Sequence, residues 1–279
     1  MPRKLPTVDE RSKMTEDQLF ESLNPRSQWK PDKLFTEDQI KDLNTRMYGK
    51  NAEDDDYDEY LLRDTLVAYV LAKDGMTIEK IEELTLDQMK GYVKEFDQFI
   101  KNTSVFAEGL TPQQSDVNAS KLGEVFGKAA AKLKDVKIPE IHNETDIQDA
   151  YASLSIPACA SNAISYALSN FRTNESYVNK SGQDAFDKSF KENLPKEMKN
   201  MTGRNFRTIS GTFDMAVSYL APGNTPTQKA ATRFILENDV TEQLGGKGFV
   251  EAKNAPSTQV ITPARRIVYT MINSPLKAI

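Results

Sequence analysis

Only one histidine, His142, and one cysteine, Cys159, occur in the chain. A Ser–His–Asp or Cys–His mechanism would have to use that histidine. His142 lies in a polar stretch, 135–144, with no positioned nucleophile beside it, and reads as an ordinary exposed histidine. One histidine and one cysteine also exclude a zinc site built from those ligands. The run Gly245, Gly246, Lys247, Gly248 lacks the Ser or Thr after the lysine and the outer glycine spacing of a phosphate loop. Asp54, Asp56 and Asp58 alternate as calcium ligands do, but Glu59 stands where such a loop needs glycine and Thr65 where it needs a bidentate glutamate. The acidic stretch 53–59 therefore reads as a solvated run whose charge favours the start of the next helix. No cofactor and no metal are expected. The chain is not read as an enzyme, and catalysis by carboxylates alone is the weakest of the functional readings.

The residues best suited to binding lie between 203 and 234. Arg204, Arg207, Lys229 and Arg233 are the only cations there, and they bracket two expected helices. Arg204 and Arg207 are three apart, a spacing that projects both from one helical face. The guanidinium fork suits phosphate oxygens. Phe206 and Phe213 lie among these cations, and rings of that kind can stack on unpaired bases. Arg172 follows Phe171 at the end of an earlier helix. The competing reading is that the aromatics are core and the arginines lie on the surface or pair internally, for instance with Asp214.

These positions fit an all-α chain with little or no sheet. Thr15-Glu16-Asp17-Gln18 and Thr36-Glu37-Asp38-Gln39 share one helix-start pattern, and Thr85-Leu86-Asp87-Gln88 is close to it: Thr at the N-cap, an acid in the first turn and Gln at N3. Helices are expected over 58–74, ending at Gly75, over 86–101, and from Thr111-Pro112 to about 134. Gly123 and Gly127, four apart, allow a close helix approach. The polar break at 135–144 separates two expected lobes. Further helices are expected over 155–171, 184–192, 195–201 and 206–220, and again from Thr225-Pro226. The expected organisation is an N-terminal arm (1–34), an acidic helical lobe (35–140), a helical RNA-binding lobe (145–250) and a C-terminal arm (251–279). Trp29, the single tryptophan, sits in the proline-rich first arm. It either tucks onto its own domain or docks into a groove on a neighbouring subunit.

Charge divides the same way. Residues 1–150 carry 21 Lys/Arg against 31 Asp/Glu, a net of −10, and residues 151–279 carry 15 against 10, a net of +5. A basic second half meeting a polyanion is one reading, and ordinary unevenness is the other. The longest apolar stretch, 66–72, is too short to span a bilayer, and no secretory signal is expected.

The order Gly211-Thr212-Phe213-Asp214, then Pro222 and Thr225-Pro226, then Lys229, Ala230, Ala231 and Arg233 resembles the coat proteins of flexible filamentous plant RNA viruses. Upstream, 157–170 is similar to the preceding helix of that family, with Ser161, Asn162 and Tyr166. The resemblance covers about residues 150–245. It implies an all-helical core flanked by two arms, single-stranded RNA and other copies of the chain as partners, and no membrane partner. It implies residence in the virion and the host cytoplasm. In the family the aspartate of the Phe-Asp pair lies at an RNA-lined pocket with an arginine from the upstream helix. Asp214 matches that aspartate. The arginine does not carry over, because Ala160-Ser161-Asn162 stands at the corresponding helix start, so Arg172, Arg204 or Arg207 would serve instead. The expected RNA-binding set is Ser161, Asn162, Arg172, Arg204, Arg207, Asp214, Lys229 and Arg233, with Trp29 docking on the next subunit. The alternative is a helical adaptor or effector that binds another protein without nucleic acid.

Overall fold

The computed structural model describes residues 5–24, 29–49, 59–172 and 178–243; the side chains of Arg172, Arg204 and 237–243 also fall outside the described set. Among the described residues the chain is all-α, with no strand. In chain order the helices are α1 (Val8–Arg11), α2 (Glu16–Leu23), α3 (Pro31–Leu34), α4 (Glu37–Tyr48), α5 (Glu59–Leu71), α6 (Ile78–Glu82), α7 (Leu86–Thr103), α8 (Pro112–Lys132), α9 (Glu144–Ser153), α10 (Ser155–Ala167), α11 (Lys180–Glu192), α12 (Gly203–Leu220) and α13 (Pro226–Gln243). A π-helical turn, Leu168–Arg172, extends α10, and a 3-10 turn, Lys196–Met198, precedes α12.

The expected capping signals set the helix starts. Thr15, Thr36, Thr85 and Thr111 each accept from the backbone N–H of a Gln three residues on, and that Gln side chain reaches back to the cap. Each box satisfies two donors that the first helical turn leaves orphaned. Gly75 takes a left-handed φ of 72° just after α5, as its place in the sequence predicts.

The chain divides into two compact units that interleave along the sequence. Among the described residues the first draws on those within 29–136 and 156–207; the second draws on 5–24, 137–155 and 208–243. This corrects the linear division expected from the sequence. A boundary does fall at 136–137, at the polar break, but the next stretch (137–155) joins the N-terminal segment and the C-terminal helices rather than opening a continuous lobe. The acidic run 53–58, short of Glu59, and the C-terminal arm 251–279 lie outside the described residues.

In the first unit α5 is buried nearly all round, including Leu61, Leu62, Leu66, Val67 and Val70. A helix apolar on every side needs neighbours on every side, and the same buried cluster takes in residues of α3, α4, α7, α8, α10 and α11. Trp29 is fully buried in that cluster with Leu34 and Phe35. The expectation that it docks on another subunit is corrected: its ring is a core element of its own chain. Gly123 and Gly127 make α8 and α11 approach closely. A methyl at Gly123 would overlap the Phe186 carbonyl, and one at Gly127 would lie 2.5 Å from the Phe190 carbonyl. Phe186 stacks on Phe171 with ring centroids 5.4 Å apart and on Phe190 at 6.1 Å, filling the space beside that contact.

The second unit is built on a three-ring stack. Tyr151 of α9 lies between Phe20 of α2 (5.2 Å) and Phe213 of α12 (5.3 Å). Arg11, buried to 8% exposure, donates to Asp149 at 2.6 Å and to the Pro6 carbonyl at 2.9 Å. Residues 5–24 are therefore part of a folded unit rather than a free arm.

Trp29→Ala should lower the unfolding free energy by about 3–5 kcal/mol, as expected for deleting a buried aromatic, measured by urea denaturation of the full chain. Gly127→Ala should cost about 1–3 kcal/mol in the same assay, because overpacking outweighs the gain in helix propensity.

Candidate nucleic-acid interface

The expected RNA-binding residues separate into three groups. Ser161 and Asn162, on α10, belong to the interior of the first unit. Ser161 is fully buried, and its hydroxyl has no hydrogen-bond partner among the described residues. Asn162 donates through Nδ2 to Asp64 Oδ2 at 2.9 Å. The other Asp64 oxygen accepts from Arg63 Nε at 3.0 Å and Nη2 at 2.7 Å, a forked contact with both side chains about 95% buried. Burial disfavours the Arg63 charge, but Asp64 outweighs it, with help from Cys159 and Tyr60, and holds the guanidinium above its ordinary pKa. Asn162 thus completes a buried ion pair whose lone pairs would otherwise be short of donors. Burial takes Ser161 out of the expected RNA-binding set, and the amide nitrogen of half-buried Asn162 is committed to Asp64.

The second group lies along α12. Phe206 is fully buried and Phe213 is 3% exposed, so neither offers a stacking surface to a base. The opposite face is open. Arg207 and Asp214 are exposed, seven residues apart and so nearly aligned on the helix, with Gly211 between them. Among the described residues, and apart from the backbone of α12 itself, nothing lies within 4 Å of where a Gly211 side chain would begin. A mid-helix glycine costs about 1 kcal/mol relative to alanine, and here no packing against a described residue requires it. The Arg172 and Arg204 side chains lie outside the described residues.

The third group, Lys229 and Arg233, lies one turn apart on α13, and the second unit holds both. Lys229 Nζ meets Glu16 Oε1 at 2.5 Å, leaving the lysine side chain 20% exposed. The other Glu16 oxygen accepts from the Gly223 N–H at 3.1 Å. Arg233 donates to the backbone carbonyl of His142. Tyr219 lies close by: its burial and the charge of Glu144 push its hydroxyl above the ordinary pKa, against the pull of Lys229 and Arg233. Sequence reasoning missed Glu16. Its place in the first turn of α2 reads as a helix-start acid, and nothing local signals a partner more than two hundred residues away. His142 itself is exposed, as expected, with Nε2 3.3 Å from Glu140.

The hydrogen bond from Lys229, then that from Gly223, hold the Glu16 carboxyl below its ordinary pKa. A depressed folded-state pKa means the contact stabilises the fold above the unfolded pKa and is lost as pH falls through the folded one. A carboxyl-detected NMR titration should place the Glu16 midpoint below that of an isolated glutamate, and Lys229→Met should move it upward. Compared with known proteins, the chain matches no protein-family model, no curated protein and no solved structure.

Proposed function

We propose that the chain is a coat or nucleocapsid protein that binds single-stranded RNA without reading sequence and assembles with copies of itself into a helical filament. The observation that carries this reading is the solvent-exposed face of α12, where exposed Arg207 stands one turn before a glycine that no described side chain covers. An arginine fork supplies donors for phosphate oxygens. A glycine with empty space above it lets a ribose or base lie against the helix backbone, a use for which glycine is suited. Asp214, the next residue along that face, accepts hydrogen bonds from sugar hydroxyls or base amines. The resemblance in the order Gly211-Thr212-Phe213-Asp214, Pro222 and Thr225-Pro226 supports the same reading, as does the +5 net charge of residues 151–279. With Trp29 in the core, this reading needs another head-to-tail link between copies, for which residues 251–279, outside the described set, are the remaining terminal segment. A head-to-tail contact of that kind does not close and yields a filament.

A second reading, a helical adaptor, draws on the first unit, where half-buried Tyr69 and Phe99 line an open groove with Lys94, Glu95, Asp97 and Gln98. Aromatic rings in a charged rim suit a protein partner.

Negative-stain microscopy and the 260/280 nm absorbance ratio of the purified protein separate these readings. Filaments with co-purifying RNA are expected, and a clean monomer without nucleic acid favours the adaptor. Anisotropy with a labelled uridine oligomer then tests the face itself. Arg207→Ala should weaken binding and shallow the slope of log affinity against log salt by about 0.7, one phosphate on a single strand. Gly211→Ala should raise stability by roughly 0.5–1 kcal/mol through helix propensity while weakening RNA binding. Gly91→Ala, at an equally uncovered position on α7, should stabilise similarly and leave RNA binding unchanged. Equal RNA affinity for Gly211→Ala and Gly91→Ala would overturn the assignment of the α12 face.

A further inference from the structure

Two donors in the second unit converge on one anion, and that anion is supplied by the chain itself. The Gly223 N–H and the Lys229 ammonium take the two oxygens of the Glu16 carboxylate, at 3.1 and 2.5 Å. A backbone N–H beside a lysine is a donor set suited to phosphate oxygens. Lys229 stands in the first turn of α13, where the Thr225 and Gln228 N–H groups are already used: Thr225 accepts from the Gln228 N–H, and the Gln228 side chain accepts from the Thr225 N–H. Gly223 holds φ at 82°, a left-handed conformation natural to glycine, in the turn that places its N–H toward Glu16. Lys229 is largely buried while Glu16 is half exposed, at 20% and 52% of their side chains. The cation is thus fixed in place, whereas the carboxylate stands at the solvent edge where an incoming anion can replace it. Arg233, four residues beyond Lys229 on α13, adds positive charge on the same side of the helix.

We infer that Gly223 and Lys229 form a phosphate-oxygen site that Glu16 keeps closed, so that α2 acts as an internal competitor for the anion. As to its natural ligand, an RNA phosphodiester, this rests on the function proposed above; as an anion site it stands on the geometry alone. Lys229 then contributes to RNA binding only after Glu16 lets go. Exchange of one anion for another leaves the lysine paired throughout, and the site gives phosphate no net advantage while Glu16 is in place. A protein whose competent state is only fractionally populated binds correspondingly less tightly.

The test uses inorganic tripolyphosphate as probe, titrated calorimetrically into the full chain, with a labelled uridine oligomer as a second arm. Glu16→Gln removes the charge but keeps an oxygen that can accept from Gly223, and it leaves the Thr15–Gln18 capping box in place. It should bind tripolyphosphate at least about fivefold more tightly than the wild type, the gain from removing an internal competitor. Glu16→Ala should behave alike and guards against a glutamine-specific effect. Adding Lys229→Met to Glu16→Gln should return affinity to the wild-type level. Equal tripolyphosphate binding by the wild type and both Glu16 variants would overturn the inference, and so would a gain that survives Lys229→Met. A Lys229-dependent gain for tripolyphosphate with no RNA binding by any variant would support the site and overturn the RNA reading. RNA bound equally by all variants, with tripolyphosphate also unchanged, would overturn the site and leave the RNA reading standing.

Discussion

Tyr151 held between Phe20 and Phe213 is the contact on which the second unit depends. The two ring pairs lie 5.2 and 5.3 Å apart, with interplanar angles of 26° and 15°. Offset stacks of this kind contribute about 0.5–1.5 kcal/mol each beyond the area they bury. Their larger effect is on topology. They fasten α2, the second helix of the chain, to α9 and α12, which lie more than a hundred residues away. With α2 fastened, Glu16 at its first turn is brought against the turn between α12 and α13, with its side chain half exposed. The ion pair with Lys229 follows from the aromatic stack rather than causing it, since a half-exposed ion pair is worth too little to hold a segment down.

The first unit is organised by a different constraint. Its central helix, α5, has almost no exposed face, and the paired glycines of α8 let α11 come within backbone contact. Trp29 enters this core from a segment whose prolines suggest an extended arm. Proline spacing reports on local conformation. It carries no information about whether an extended segment runs over solvent or over an apolar surface, and a tryptophan resolves that choice by the area it buries.

Helix starts were legible in the sequence because their causes are local. The capping boxes at Thr15, Thr36 and Thr85 and the left-handed glycine after α5 need only three or four residues to specify them. The close helix approach at Gly123 and Gly127 was legible too, though its partner α11 was not. The candidate site was legible in part. Arg207 and Asp214 both lie at exposed positions on α12; the face that Arg207 was expected to share with Arg204 lies partly outside the described residues. Phe206 and Phe213, which share the helix, point the other way, and the same periodicity that brings the charges together turns the rings inward. Ser161 and Asn162 entered the expected set through the resemblance of 157–170, which carries no information on burial; Ser161 is buried, and Asn162 serves a buried Arg63–Asp64 pair. The roles of Lys229 and Arg233 depended on partners at Glu16 and His142, contacts between distant segments that no short motif encodes.

In the proposed reading, phosphate binding is set by competition between carboxylates within the chain and phosphates outside it, since the protein carries a net charge of −5. Lys229 is held by Glu16 and Arg233 by the His142 carbonyl, whereas Arg207 on α12 lies at an exposed position. The most direct measurement is the Glu16 carboxyl titration repeated at saturating uridine oligomer. The account predicts that the depressed midpoint rises toward the ordinary glutamate value as phosphate takes over Lys229 and Gly223. A midpoint that stays depressed while the oligomer is fully bound would contradict it.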